Sequence, residues 1–365
     1  MQSPIQRWWD RLLGRGTAAI TVPIMDGAIK PNRALDQAAV VLNLPGIDDI
    51  ASDGQHLWMS AGSVLYQLEN QQAREVRRFD TPITALAANG QGHIAVALGG
   101  RELQLLDASG ASLAQTRALG GRALHSANAL TFEGRDSLLV SDGSEQYGPD
   151  QWCHDLMQHG KTGKVGRWNL QSGQSTLLAQ GLAYAFGVLA DSGVARWSES
   201  WRHTLGSVSG NGVRRPATVA ELPGYPSRMA AAAGGGFWLT CFVCRTQLVE
   251  FVLREDAYRK RMMQEVHPSQ WVAPALSSGK SFLEPLQGAG VKTMGVLKPW
   301  APPRSYGLVL RVAEDGRVLS SLHSQVDGEH HGITAVAQHA GSLYLVSKGS
   351  ARLLRVELNS AGDVA

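Results

Sequence analysis

Cysteine is scarce. The 365-residue chain holds three, Cys153, Cys241 and Cys244, too few and too unevenly spaced for the disulfide framework of a small secreted domain. A reducing compartment, and with it a cytoplasmic location, is the expectation. The spacing Cys241-Phe-Val-Cys244 is half of a zinc or redox motif. The preceding Phe237-Trp238-Leu239-Thr240 reads as a strand, however, and residues three apart on a strand face opposite ways, so the pair is read as two small buried hydrophobes. Charge of one sign is also sparse: a net +3 with dispersed Lys and Arg argues against nucleic acid as a partner. No segment approaches the run of ~20 apolar residues that a membrane span needs. The start, Met1 to Leu13, is charged and lacks a continuous apolar stretch with a small-residue cleavage site, so it is not read as a signal peptide. Ile5, Trp8, Trp9, Leu12 and Leu13 would share one face of a short helix. That face is expected to pack against the protein in preference to a membrane contact through Trp8 and Trp9. Gly-x-Ser-x-Gly, phosphate-loop and His-Glu-x-x-His patterns are all missing, which removes nucleophilic-serine, nucleotide and zinc-protease readings.

Glycine is plentiful, at 41 residues, and 44% of the chain is apolar, a composition suited to many short strands joined by tight turns. A module recurs about six times: a turn, a short alternating strand, a Gly-rich hairpin and another strand. Its strand starts read Ile47-Asp48-Asp49-Ile50, Ile83-Thr84-Ala85-Leu86, Asn128-Ala129-Leu130, Phe186-Gly187-Val188, Arg228-Met229-Ala230 and Ile333-Thr334-Ala335-Val336. A unit of this size cannot bury both faces alone and must stack around an axis. The expectation is an all-β, six-bladed β-propeller with a short N-terminal helical extension and a partly helical insertion. Residues 1–36 form the extension, 37–358 the propeller and 359–365 a C-terminal tail. Two insertions break the rhythm, near 143–164 and 254–304, the second helix-like from Asp256 to Val266; either could roof the mouth of the central channel. Val40 and Val41, in a strand before the first blade, are expected to pair with Arg352–Glu357 and close the ring, which removes an exposed edge.

Particular stretches carry a resemblance. Asp155-Leu156-Met157, the turn leading to Arg167-Trp168-Asn169, Gly181 to Val188 and Glu199-Ser200-Trp201-Arg202 resemble the middle blades of strictosidine synthase-like proteins. Leu222-Pro223-Gly224-Tyr225-Pro226 with Gly235-Gly236-Phe237-Trp238 looks like their next blade. Ser305 to Val309 with Asp315 to Leu319 is similar to their final one. That family sits beside the calcium-dependent propeller hydrolases, among them gluconolactonase and paraoxonase, in which residues from several blades hold calcium on the axis. The positions matching those ligands are Asp48, Asn128, Phe186 and Ser227. Calcium affinity tracks the number and charge of oxygen ligands, so this depleted set favours no metal and no other cofactor; if calcium binds, Asp48 and Asn128 are its ligands. Strictosidine synthase works without the metal through a glutamate before the last blade, and the matching residue is Glu329. Partial burial could raise its pKa toward neutral and fit it for acid–base work; a solvated turn is the competing reading.

These readings place a site at the channel mouth. Glu329 is the candidate acid–base, with Asp48, His125, Asn128, Phe186, Arg228, His330 and His331 as candidates for binding a small organic molecule. Arg228 near the axis would favour an anionic one. The leading expectation is a metal-independent, strictosidine synthase-like enzyme. The alternatives are a calcium-dependent lactone or ester hydrolase and a non-catalytic ligand-binding or scaffold propeller.

Overall fold

A computed structural model describes residues 22–191, 193–210, 212–278, 292–293, 296–297, 305–359 and 362–364. Six four-stranded antiparallel sheets follow one another around a central axis. Their inner strands are Ile47–Ser52, Ile83–Ala88, Ala127–Glu133, Ala185–Asp191, Gly224–Ala231 and Ile333–His339. Each inner strand touches the next, and the sixth touches the first. The expected six-bladed propeller is therefore the fold. The fifth inner strand begins four residues before the expected start at Arg228; its early Pro226 is tolerated because the ladder is interrupted there by register shifts.

Burial follows the ring. Six apolar clusters lie between neighbouring blades, for example Ile50, Met59, Val346 and Leu353 between the first and sixth and Leu130, Leu138 and Trp168 with Ala95 between the second and third. A seventh, holding Leu156, Phe242, Val252 and Trp271, sits under the two insertions. Closure happens as expected: Ala39–Asn43 is the outer strand of the sixth blade, with Val40 opposite Leu354 and Leu42 opposite Leu353. Val41 is the extra residue at a bulge between those pairs. Past the last strand the tail turns back, and Leu358 bridges to Val364.

Both insertions join the second and third strands of a blade, the third and the fifth respectively. The first contains helix α1 (Trp152–Met157). The second is led by α2 (Gln247–Arg254) and α3 (Asp256–Glu265), the latter at the expected helical start; most of its remainder falls outside the described residues, as does the expected N-terminal helix with Trp8 and Trp9. No helix among the described residues is long and apolar enough to cross a membrane.

One local feature repeats in every blade. Each inner strand is bulged near its start: the extra residue is Asp48, Thr84, Asn128 or Thr334 in four blades, and the bulge takes in Phe186-Gly187 and Ser227-Arg228 in the others. A bulge leaves a residue out of the ladder and re-aims it, here toward the axis. In the first, third and fourth blades a backbone N–H at the bulge is met by a hydroxyl on the second strand. Asp49 N donates to Ser60 Oγ at 3.1 Å, Ala129 N to Ser141 Oγ at 3.1 Å and Gly187 N to Ser198 Oγ at 2.7 Å.

A bulge also corrects the reading of the cysteines. Phe242 has no opposite partner, so alternation slips by one and Cys241 and Cys244 enter the same core cluster. Both are buried and free, as expected. Among the described residues no three His, Cys, Asp or Glu side chains converge as a metal site.

Candidate functional site

Arg228 closes the axis. From the fifth blade its guanidinium reaches into the carbonyl ring made by the bulges: Nε donates to Asn128 O at 2.9 Å, Nη1 to Asp48 O at 2.9 Å and Nη2 to Thr84 O at 2.7 Å. It is ion-paired with Asp48 Oδ2 at 2.9 Å and Asp49 Oδ2 at 3.0 Å, and the Phe186 ring lies 5.3 Å from its central carbon. Burial opposes ionisation of Asp48, but Lys348 and Arg228 outweigh it and hold that carboxyl below its usual range. Asp49, deeper and without the lysine, is pushed by burial up to about 7 against the pull of Arg228. The plug separates two spaces. One is a channel of about 250 Å³ lined by the continuing inner strands. The other is a cavity of about 170 Å³ at the mouth.

The mouth cavity has aromatic walls and a polar floor. Trp152, Tyr184, Phe186 and Phe242 line it, with Leu276 at its rim and Asp48, Thr84, Asn128, Arg228, Thr334 and Lys348 below. Trp152 packs edge-on against Phe242 at 5.2 Å, and Phe186 lies 5.6 Å from Phe242. Both insertions thus contribute, as the sequence suggested either could. The first is pinned by Asp155, whose Oδ1 accepts a 2.7 Å hydrogen bond from Trp201 Nε1. Gly160 faces Asp155 so closely that a Cβ would fall 2.1 Å from the same oxygen. Tyr184 is held in the left-handed region at φ 59°, stacked on Trp201 at 4.5 Å. Its hydroxyl bonds to Ser126 and Asn128, and burial raises its pKa. Such strain in a non-glycine residue persists only where its surroundings over-determine it.

Lys348, in the turn after Ser342–Ser347, is the reachable cation among the described lining residues. Its side chain is 41% exposed and paired with Asp48 Oδ1, and its backbone N donates to Gly332 O at 3.0 Å. An ammonium has three donors, so the pairing leaves capacity for a ligand.

The structure brings together four of the expected residues, Asp48, Asn128, Phe186 and Arg228, and sets the others apart. Arg228 was expected to attract an anion; with three carbonyls and two carboxylates around it, it has little left to offer one. Ser227 is off the cavity lining: its Oγ is engaged by Thr240, 2.7 Å from Oγ1 and 3.1 Å from the carbonyl oxygen, and lies 3.4 Å from Ile333 O of the sixth blade. Glu329 lies off the cavity lining with its side chain 73% exposed, 2.7 Å from Arg352 Nη1. The expected rise in its pKa gives way to a fall, because the Arg352 hydrogen bond and charge favour the carboxylate. His331 Nδ1 is bonded to Ser305 Oγ at 2.7 Å and Nε2 to Gln325 O at 2.6 Å. His330 is buried beside Arg352. His125 donates its backbone N to Asp142, and its Nδ1 is buried without a hydrogen-bond partner. All three histidines lie off the cavity lining. Lys348, Trp152, Tyr184, Phe242, Thr84 and Thr334 are cavity residues that sequence reasoning missed. The two threonines had a signal, since each stands second in its strand start, where Asp48 stands in the first blade.

No family model matches the chain. It is 23% identical over 257 residues to the adipocyte plasma membrane-associated protein of Salmo salar, covering 66% of this chain and 54% of that protein. It is 23% identical over 209 residues to Protein STRICTOSIDINE SYNTHASE-LIKE 13 of Arabidopsis thaliana, covering 56% and 46%. The chain spans about half the length of these curated relatives. Among solved structures, a gluconolactonase from Xanthomonas campestris superposes with a TM-score of 0.58 at 12% identity, over 88% of this chain and 89% of that one; the likeness there is one of fold.

Proposed function

We propose, on the premise that this chain is a six-bladed propeller of the strictosidine synthase-like kind, that it acts on a small organic carbonyl compound held in the aromatic cavity at the channel mouth. The observation behind this reading is that, among the described residues, a partly exposed ammonium, Lys348, lines the same cavity as Trp152, Phe186 and Phe242. A cavity of about 170 Å³ is close to the ~150 Å³ that accepts a benzene ring, so the ligand is a one-ring molecule with its oxygen toward Lys348. Asp48 fixes the ammonium, which then donates to the carbonyl oxygen and polarises the C=O bond. Glu329 has no part in this version of the chemistry.

The test is a thermal-midpoint screen of aromatic aldehydes, lactones and carboxylates, followed by product analysis. Wild type should be stabilised by a carbonyl compound, and Trp152→Ala should lose that response. Lys348→Met should still fold, with a midpoint lowered by the loss of its pair with Asp48, yet lose turnover by about 10²-fold, the usual cost of one such donor. Should none of these classes raise the midpoint, or should Trp152→Ala respond like wild type, the reading fails. A second reading, binding without turnover, draws on the lack of any histidine, cysteine or serine among the described lining residues. Saturable stabilisation with no product would select it.

A further inference from the structure

The bulges have built a cation cage. Five oxygens converge at the axis: the carbonyls of Asp48, Thr84 and Asn128 and one carboxylate oxygen each from Asp48 and Asp49. Carbonyls and carboxylates in a ring are the ligand set that a hard divalent ion takes, six to eight of them at 2.3–2.6 Å. Here all five lie 2.7 to 3.0 Å from guanidinium nitrogens of one side chain, and Phe186 lies against the guanidinium. Calcium does not fit these residues as they stand, because the oxygens it would need are engaged.

We infer that Arg228 is the propeller's own axial cation, tethered to the fifth blade and standing where a free ion would otherwise join the blades. Its charge faces the carboxyl groups of Asp48 and Asp49, and its planar fork ties carbonyls from the first, second and third blades to the fifth, a geometry that suits several acceptors at once. The corollary is a latent site. Once the side chain is cut back, the cage keeps its five oxygens, and a free cation of suitable size should take the place of the guanidinium and hold both carboxyl groups ionised.

The experiment compares thermal midpoints of wild type, Arg228→Ala and Arg228→Gln with chelator, with millimolar calcium chloride, with guanidinium chloride at low, non-denaturing concentration, and with urea at the same concentration as a neutral control. A ligand bound only by the folded state raises the midpoint by mass action. Wild type should be indifferent to calcium. Both variants should melt several degrees lower and recover with calcium; Arg228→Ala, which leaves room for the missing group, should also recover with guanidinium but not with urea. If neither variant folds unaided, the yield on refolding with calcium against chelator is the readout, and a calcium-dependent gain is expected. Calcium raising the wild-type midpoint, a variant as stable as wild type, or variants unmoved by either cation would overturn the inference. None of these readouts depends on the substrate, so they stand or fall apart from the proposed reaction.

Discussion

Gly349 must be glycine for lack of space, not for backbone freedom. A Cβ on it would fall 2.0 Å from the carbonyl oxygen of Leu276, the residue by which the second insertion reaches the cavity. Gly349→Ala should therefore push that segment off the mouth, costing about 1–3 kcal/mol and weakening ligand binding; urea unfolding and ligand titration of the variant measure both. His323 supplies a pH-dependent term. It is fully buried, with Nδ1 bonded to Tyr306 Oη and Nε2 to Ser321 Oγ, and burial lowers its pKa from 6.5 to about 4. The folded state thus resists a proton that the unfolded chain accepts, so this contribution is present above pH 6.5 and is lost as the pH falls toward 4. Unfolding free energies should drop across that window in wild type and fall less steeply in His323→Gln. Asp48, Asn128 and Phe186 were legible in the sequence because they stand at strand starts. The role of Arg228 was not, since the Asp48 oxygens it holds lie 180 positions away. Lys348 was missed because it belongs to a turn after a second strand.

The repeat was read as alternating strands, and alternation does not register a bulge. In four blades a hydroxyl on the second strand accompanies it: Trp58-Met59-Ser60, Leu139-Val140-Ser141, Arg196-Trp197-Ser198 and Trp238-Leu239-Thr240; the second blade, with Ile94–Leu98, has none. Ser198 shows the reason. Its Oγ accepts from Gly187 N at 2.7 Å and donates to Ser227 O at 2.9 Å, serving the bulge of its own blade and the backbone of the next. Ser198→Ala should strand both groups and destabilise the protein by about 1–3 kcal/mol, the cost of a buried polar group left unpaired. Equilibrium denaturation decides it; a loss below a few tenths of a kcal/mol would mean that the bulge relaxes without the hydroxyl. The same effect explains the cysteines: period two put Cys241 and Cys244 on opposite faces, and one extra residue at Phe242 put them on the same face.

At the scale of the whole ring, blade number and closure followed from periodicity and from the need to cover an edge, whereas the arrangement of the insertions did not, because they carry no repeat. Closure rests on a short strand. Leu42→Pro would take a donor and backbone freedom from Ala39–Asn43, so the sixth blade should open more readily. Hydrogen exchange at Arg352–Glu357 should quicken before that of the other blades, and equal rates in variant and wild type would contradict the closing role. That strand also sets a timetable. Asn43 meets Arg352, 309 residues further along, and at a synthesis rate of about 5–20 residues per second the two are made some tens of seconds apart. For that interval the nascent chain carries a strand with no mate, as five blades complete themselves beside it. Whatever shields that strand on the ribosome governs how much of the product ends as a closed ring.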